Sequence, residues 1–247
     1  MGTLKKRTSH QYEEMGRLTQ GLLHNINNSL GSIIGFSEFL AEDLDKNSPH
    51  HVFAENIKSA SEHIKDLIRQ MWTLNAISEM SYNEVTDQVD ISEIIETQLL
   101  AMSEPLFKNM KISVEFDIED SVTDTKIIGF HGYLTQMFLE LVSNAIESFE
   151  EQTDTHKPKM ISVTLSKPQH APEYLCMKIS DTGDGMEPEI LEQCRSPFFS
   201  HRDASEHHGL GLTIVDSILK SSGGVMDISS EAGIGSTISI NLRQNVS

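Results

Sequence analysis

The sequence predicts an α+β protein. An N-terminal antiparallel helical hairpin, paired with a second copy into a four-helix bundle, precedes a mixed sheet covered by helices. Three observations lead there. Phe53, Ile57, Ala60, Ile64, Leu67, Met71 and Leu74 alternate by four and three, an a/d seam of the kind that bundles and coiled coils use. Met15, Leu18, Leu22, Ile26, Leu30, Ile33, Leu40 and Leu44 form an earlier stripe at helical spacing, separated from that seam only by the turn Asp45-Lys-Asn-Ser-Pro-His50. After Tyr82 the period changes, and short alternating segments follow one another between helical ones. One hairpin has too little core to stand alone, so a second copy is its natural completion.

In chain order, residues 1–14 are polar, with Lys5-Lys6-Arg7 in a run. Leu18–Leu44 reads as one helix whose stripe is buried, and His24 and Asn28 project side by side from the opposite face at i and i+4. The second helix carries the seam, with Trp72 and its methionines in core or dimer positions. Asp90–Lys108 reads as a helix with Ser92 as N-cap and Ile94, Ile95, Leu99 and Leu106 inward. Lys111–Ile118 alternates as a strand. Gly132–Glu150 is a helix with Leu134, Phe138, Leu141, Val142 and Ile146 inward, and strands follow at Met160–Leu165 and Leu175–Ser180. Loops rich in Gly and Pro lead to a helix at Leu210–Ser221, ended by Gly223-Gly224. Val225–Ser230 and Ser236–Leu242 close as a hairpin about Gly233 and Gly235. The domains expected are 1–84 and 88–247.

Bulk properties narrow the function. Nineteen Lys and Arg against 37 Asp and Glu give a net charge of −18, which argues against nucleic acid or an anionic membrane as partner. No apolar run is long enough to span a bilayer and no signal peptide opens the chain, so no direct membrane contact is expected. Cys176 and Cys194 lack CxxC spacing; Cys176 reads as a small buried apolar residue, and a reduced cytoplasmic setting follows.

Three segments of the second half carry chemistry. In Glu140-Leu-Val-Ser-Asn144 a carboxylate and an amide lie one helical turn apart, able to converge on a hydrated Mg²⁺. Asp181-Thr-Gly-Asp-Gly-Met186 follows a strand; its aspartate can accept a hydrogen bond from an exocyclic amine such as that of adenine, and its glycines let backbone approach a nucleotide. His207-His-Gly-Leu-Gly-Leu212 opens a helix, where exposed amide N–H groups suit phosphate oxygens. Each alone is an ordinary cap or turn; their order makes coincidence a poor account. His201, His207 and His208 lack the spacing of a metal site and read as solvated or phosphate-facing.

These segments resemble the N, G1, F and G2 boxes of the histidine-kinase branch of the GHKL ATPases, with Pro197-Phe-Phe-Ser-His201 as the F box. The hairpin is similar to the dimerisation and phosphotransfer domain of the same kinases, with His24 at the phospho-accepting position. The resemblance implies a GHKL-type α/β sandwich after the hairpin, with ATP and Mg²⁺ as cofactors, a homodimer, and a response-regulator receiver domain as partner. By resemblance, Asn144 holds Mg²⁺ and Asp181 reads adenine. Gly183, Gly185, Gly209, Leu210 and Gly211 line the nucleotide and a short lid at 195–208, and Asn28 positions water for dephosphorylating the regulator.

The chain departs from the family's usual pattern at four positions. Asn25 stands where an acid usually follows the histidine, Ser29 replaces the proline after Asn28, Glu140 replaces a first N-box Asn, and His207 replaces the first G2 glycine. Kinases of the HWE and related type share Glu in the N box and lack the acid after histidine. Glu140 is therefore open to three roles: Mg²⁺ ligand, polariser of water, or the base that relieves His24 of its proton. The function expected is ATP-dependent autophosphorylation of His24, phosphotransfer to a regulator aspartate, and regulator dephosphorylation. The rivals are a phosphotransfer scaffold with a vestigial ATP site and a GHKL ATPase with Glu140 as general base.

Overall fold

The structure, a computed structural model, describes residues 26–78, 87–150, 157–200 and 209–244, which fall into two compact units that divide between Asn75 and Ala76. The first is the helical hairpin of α1 (residues 26–43) and α2 (Pro49–Ser78). Its turn is built by local side chains: Asp45 Oδ1 accepts from Asn47 N at 2.9 Å, and Ser48 Oγ accepts from His50 N at 3.2 Å, with Pro49 at the first helical position. Helix α1 runs unbroken past Ser29, so the missing proline is matched by a regular backbone.

The hairpin's interior differs from the expected stripe. Leu30, Ser37 and Ala41 of α1 are buried, as are Ala54, Ser61 and Ile68 of α2, the last three at heptad spacing; the small residues among them, Ser37, Ala41, Ala54 and Ser61, let the helices approach closely. The buried hydroxyls of Ser37 and Ser61 are satisfied by the carbonyls of Ile33 and Ile57, one turn back. The expected inward residues Ile33 and Leu40 of α1, and Phe53, Ile57, Ile64 and Met71 of α2, are instead exposed, together with Phe36, Phe39 and Trp72. The seam points outward because the small residues beside it already fill the space between the helices.

The second unit holds a five-stranded sheet in the order β2-β4-β5-β7-β6. The strands are β2 (Ile112–Ile118), β4 (Lys159–Ser166), β5 (Tyr174–Asp181), β6 (Val225–Glu231) and β7 (Gly235–Arg243); only β2 and β4 run parallel. Burial alternates strictly along the central strands, with Ile161, Val163 and Leu165 paired beside Leu175, Met177 and Ile179. That buried face is covered by α4 (His131–Glu147), which packs on β5, and α6 (Gly211–Ser222), which packs on β6 and β7. Leu134, Phe138, Leu141, Val142 and Ile146 of α4 all face this core, as expected. Each such residue contributes about 1.5–3 kcal/mol by leaving water, which anchors α4 firmly enough to present its other face to a ligand. Gly223 ends α6 in the left-handed conformation at φ 69°, as the sequence predicts.

Several elements differ from those the sequence predicts. Helix α3 (Ile91–Met102) is capped by Asp90, not Ser92: the Asp90 carboxylate accepts from Ser92 N at 3.0 Å and from the hydroxyls of Ser92 and Thr125 at 2.7 Å each. The chain then continues as a π-helical segment, Ser103–Lys108. Its wider turn contains Pro105, which has no N–H for the α-helical ladder, and it moves the inward position from Leu106, which is exposed, to Phe107, which is buried. Leu99 is half-buried. A two-stranded sheet of β1 (Gln88–Asp90) and β3 (Lys126–Ile128), and the short α5 (Pro188–Gln193), are too brief to leave a periodic signal. Cys176 is half-buried on the polar face, where burial pushes its thiol pKa up and keeps it unreactive.

Burial raises the Asp90 carboxyl, but the bonds from Ser92 and Thr125 outweigh it and hold it below its ordinary value. A depressed folded-state value means stability present above the unfolded value, about 3.9, and lost as pH falls through the folded one. Asp90→Ala is expected to destabilise this unit by about 1–2 kcal/mol near neutral pH, and by progressively less below about pH 4. Thermal denaturation across pH 3–7 measures both effects.

Candidate functional site

The site is laid out along one face of α4. Glu140, Asn144 and Ser148, the last closing the helix as its C-cap, recur at i, i+4 and i+8 and span about 12 Å along the axis. One end of this row meets α6. A Cβ placed on Gly211 would crowd Glu140 Oε2 at 3.0 Å and stand in ordinary contact with Asn144 Oδ1 and Nδ2 at 3.7 and 3.8 Å. Leu210, the N-cap of α6, has an apolar side chain that makes no cap bond, and the first-turn amide N–H groups of a helix suit an anion. Asn144 Nδ2 is buried and hydrogen-bonds nothing. A buried amide without a partner costs about 1–3 kcal/mol, a cost that a bound ligand or its waters would relieve.

The carboxylate of Glu140 and the amide of Asn144 fit Mg²⁺, which keeps most of its waters and shares phosphate oxygens with one or two protein groups. Among the described residues no three His, Cys, Asp or Glu side chains cluster as a metal cage. The pair therefore suits an ion that arrives with a phosphate.

The other end of the row meets Asp181, at the end of β5. Asp181 Oδ1 accepts from Gly183 N at 2.8 Å and from Ser148 Oγ at 3.0 Å. Gly183 packs so closely on Ser148 that a Cβ there would sit 2.0 Å from the Ser148 hydroxyl oxygen. Gly185, at φ 65°, would put a Cβ 2.0 Å from the Glu231 carbonyl, and Gly235, at φ 142°, would put one 2.1 Å from the Asp181 carbonyl. Packing of the loop against protein is thus a reason for these glycines in addition to the approach to a nucleotide that the sequence suggests for Gly183 and Gly185. Of the glycines read as lining the site, Gly211 is the one whose missing side chain leaves room at the polar cluster. Leu210 is 1% exposed, so its side chain belongs to the core and only its backbone can meet a ligand.

Phe198, at φ 63°, donates its N–H to the Gly209 carbonyl at 2.9 Å, and a Cβ on Gly209 would clash with the backbone of Phe198 and Phe199. Arg195 Nη2 lies 2.8 Å from Asp216 Oδ1 on α6, and Lys220 Nζ lies 2.5 Å from Oδ2. Burial works against the Asp216 charge, yet the bonds from Lys220 and Arg195 win and hold its carboxyl below the ordinary value. Arg195 is thereby tied to the helix whose start faces Glu140 and Asn144.

Glu140, Asn144 and Gly211 thus come together at one end of the row, midway along α4, and Asp181 and Gly183 meet its other end at the helix C-cap, Ser148. Asn28 is exposed on α1, opposite buried Leu30. His24 and Asn25, and the lid residues His201, His207 and His208, lie outside the described residues. Ser148 was missed, although its i+4 spacing from Asn144 could have found it. Lys157, which bonds the carbonyls of Gly183, Gly233 and Ile234, was missed because those partners are 26, 76 and 77 residues away.

Known proteins share both units. A family model described as histidine kinase-, DNA gyrase B- and HSP90-like ATPase matches residues 131–246, and one described as His Kinase A (phospho-acceptor) domain matches residues 14–79. Sensor histidine kinase ZraS of Escherichia coli K12 is 25% identical over 232 residues, 94% of this chain and 46% of ZraS. Sporulation kinase C of Bacillus subtilis 168 is 27% identical over 239 residues, 96% of this chain and 50% of that protein. The chain spans half or less of the length of these relatives. Among solved structures, full-length ShkA in complex with AMPPNP superposes with a TM-score of 0.71 at 18% identity, over 94% of this chain and 47% of that one. Histidine kinase ThkA in complex with the response regulator TrrA gives 0.56 at 19% identity, over 98% of this chain and 65% of that one. At these identities the structural likeness speaks to the fold. With a phospho-acceptor module followed by a GHKL-type ATPase module, the chain belongs to the sensor histidine kinases of two-component systems.

Proposed function

We propose that residues 1–84 and 88–247 act as the phosphotransfer and ATP-binding domains of a cytoplasmic kinase that phosphorylates His24 from Mg-ATP and passes the group to an aspartate of a response-regulator receiver domain. The observation that carries this is the row on α4, with a phosphate end at Gly211 and a base end at Asp181, about the length of a nucleoside triphosphate. Asp181 would accept the adenine amine, and the backbone N–H groups at the start of α6 would meet the phosphates. Glu140 and Asn144 would hold Mg²⁺, which supplies charge neutralisation on the β- and γ-phosphates.

The neutral imidazole of His24 forms an N–P bond as the bond from the γ-phosphorus to the bridging oxygen breaks and ADP leaves; the proton on its other nitrogen then departs. Asn25 can orient the ring but has no basicity near neutral pH, so a carboxylate elsewhere takes that proton, a role open to Glu140 as the alternative to holding Mg²⁺. Asn28 is assigned the water that dephosphorylates the regulator.

Incubation with γ-labelled ATP, Mg²⁺ and receiver-domain proteins tests the reading. Label should appear first on this chain and then on a receiver domain. Phosphate release with no labelled protein would mean an ATPase, and absence of nucleotide binding would mean a scaffold. The uncapped α6, the orphan Asn144 amide and the anchored Asp181 favour a working site over a vestigial one.

A homodimer is the second half of the proposal. Its support is the outward seam of Phe53, Ile57, Ile64 and Met71, continued by Ile33, Phe36 and Leu40 on α1. Another copy of the hairpin would cover that seam as a four-helix bundle. Ile57→Glu with Ile64→Glu leaves the hairpin's own interior untouched and is expected to convert dimers to monomers by light scattering. A variant that stays dimeric would place the interface elsewhere.

A further inference from the structure

We infer that Lys157 is a positioning residue for the nucleobase, an ammonium clamp that fixes the loop carrying Gly183 against the turn between β6 and β7. This rests on the reading of Asp181 as the adenine acceptor. Lys157 Nζ lies 2.6 Å from the Gly183 carbonyl, 2.8 Å from that of Gly233 and 3.0 Å from that of Ile234. An ammonium has three N–H donors and no acceptor, so these three carbonyls use all of them. The lysine has no donor left for a phosphate, and its role is on the protein's own backbone.

The clamp acts on the residue whose N–H orients Asp181. Gly183 donates its N–H to Asp181 Oδ1, while its carbonyl is held by Lys157. Rotation of that loop would break both bonds together. The stem of Lys157 is itself fixed: the carbonyl of Pro158 accepts from Thr182 Oγ1 at 2.6 Å, Thr182 Oγ1 accepts from Met160 N at 3.0 Å, and Thr182 N donates to the Met160 carbonyl at 3.1 Å. A second tie runs parallel to the clamp, from Gly233 N to the Asp184 carbonyl at 2.6 Å, and Met186 N reaches Ser230 Oγ at 2.8 Å. These neutral bonds keep the two loops adjacent. The charged clamp adds stronger bonds and fixes the angle at which Gly183 faces Asp181.

If the clamp served folding alone, its loss would lower stability and weaken all nucleotides in proportion. A positioning role instead predicts a loss that depends on the base. Equilibrium binding of ATP and of GTP to the whole chain, with Mg²⁺ present, separates the two when run on wild type, Lys157→Met and Lys157→Arg beside thermal melts without nucleotide. Wild type should prefer ATP. Lys157→Met should weaken ATP about tenfold, narrow the ATP-over-GTP preference, and shift the melting temperature little. Lys157→Arg should recover only part of the preference, because a planar guanidinium does not match three carbonyls arranged around an ammonium. Unchanged ATP affinity and preference in Lys157→Met would overturn the inference, as would an equal loss for both nucleotides. Failure of wild type itself to bind ATP would overturn the nucleotide reading and this inference with it.

Discussion

Asp181→Asn is expected to weaken ATP binding by about 1.5–3 kcal/mol, roughly ten- to a hundredfold, while the protein stays folded. The substitution is informative because of how the carboxylate is held. Its Oδ1 takes the Gly183 N–H and the Ser148 hydroxyl, and an asparagine carbonyl can keep both. The second oxygen, the one assigned to adenine, becomes an NH₂ group, and two donors then face each other. Base recognition is lost with the internal bonds kept, so titration with ATP should show the loss and a thermal melt should not. ATP affinity equal to wild type would remove Asp181 as the adenine acceptor.

Glu140→Gln is expected to depress phosphorylation of His24 by about a hundredfold or more while ATP affinity falls far less, since a lost proton acceptor or metal ligand acts mainly on the transfer step. Glutamine is nearly the same size and shape as glutamate, so the space left by the missing Cβ of Gly211 should be kept. Asn25→Asp in the same protein separates the two roles. Recovery of the rate assigns Glu140 the proton of His24, because an aspartate beside the histidine restores a base. No recovery assigns Glu140 to Mg²⁺ alone. Phosphorylation at the wild-type rate in Glu140→Gln would exclude it from both.

The legible parts of the chain were those specified by residues close in sequence. Glu140 and Asn144 lie one turn apart, and the buried face of α4 is written in Leu134, Phe138, Leu141, Val142 and Ile146. Asp181 ends a strand whose alternation is plain, and Gly223 ends a helix in the conformation only glycine adopts cheaply. Misreadings arose where tertiary contacts decide. The a/d pattern from Phe53 to Leu74 correctly marks α2, but periodicity alone does not say which of two apolar stripes faces the neighbouring helix. Small residues won the inner position because Ala54 and Ser61 permit close approach. Pro105 gave local warning of a helix irregularity, yet the shift of the buried position from Leu106 to Phe107 follows from the π turn, which no spacing rule anticipates. The glycines at 183 and 185 read in sequence as lining a nucleotide, and Gly235 as a turn residue; the close packing that each also makes, against Ser148, Glu231 and Asp181, joins residues far apart along the chain.

The central claim, transfer of phosphate from ATP to His24, is tested most directly by incubating wild type and His24→Gln with γ-labelled ATP and Mg²⁺ and following protein-bound label and its acid stability. The account predicts label on wild type that is lost in acid and kept in alkali, as phosphohistidine chemistry requires, and none on His24→Gln although that variant still binds ATP. Label on His24→Gln equal to wild type, or ATP bound by wild type with no label on either protein, would contradict it.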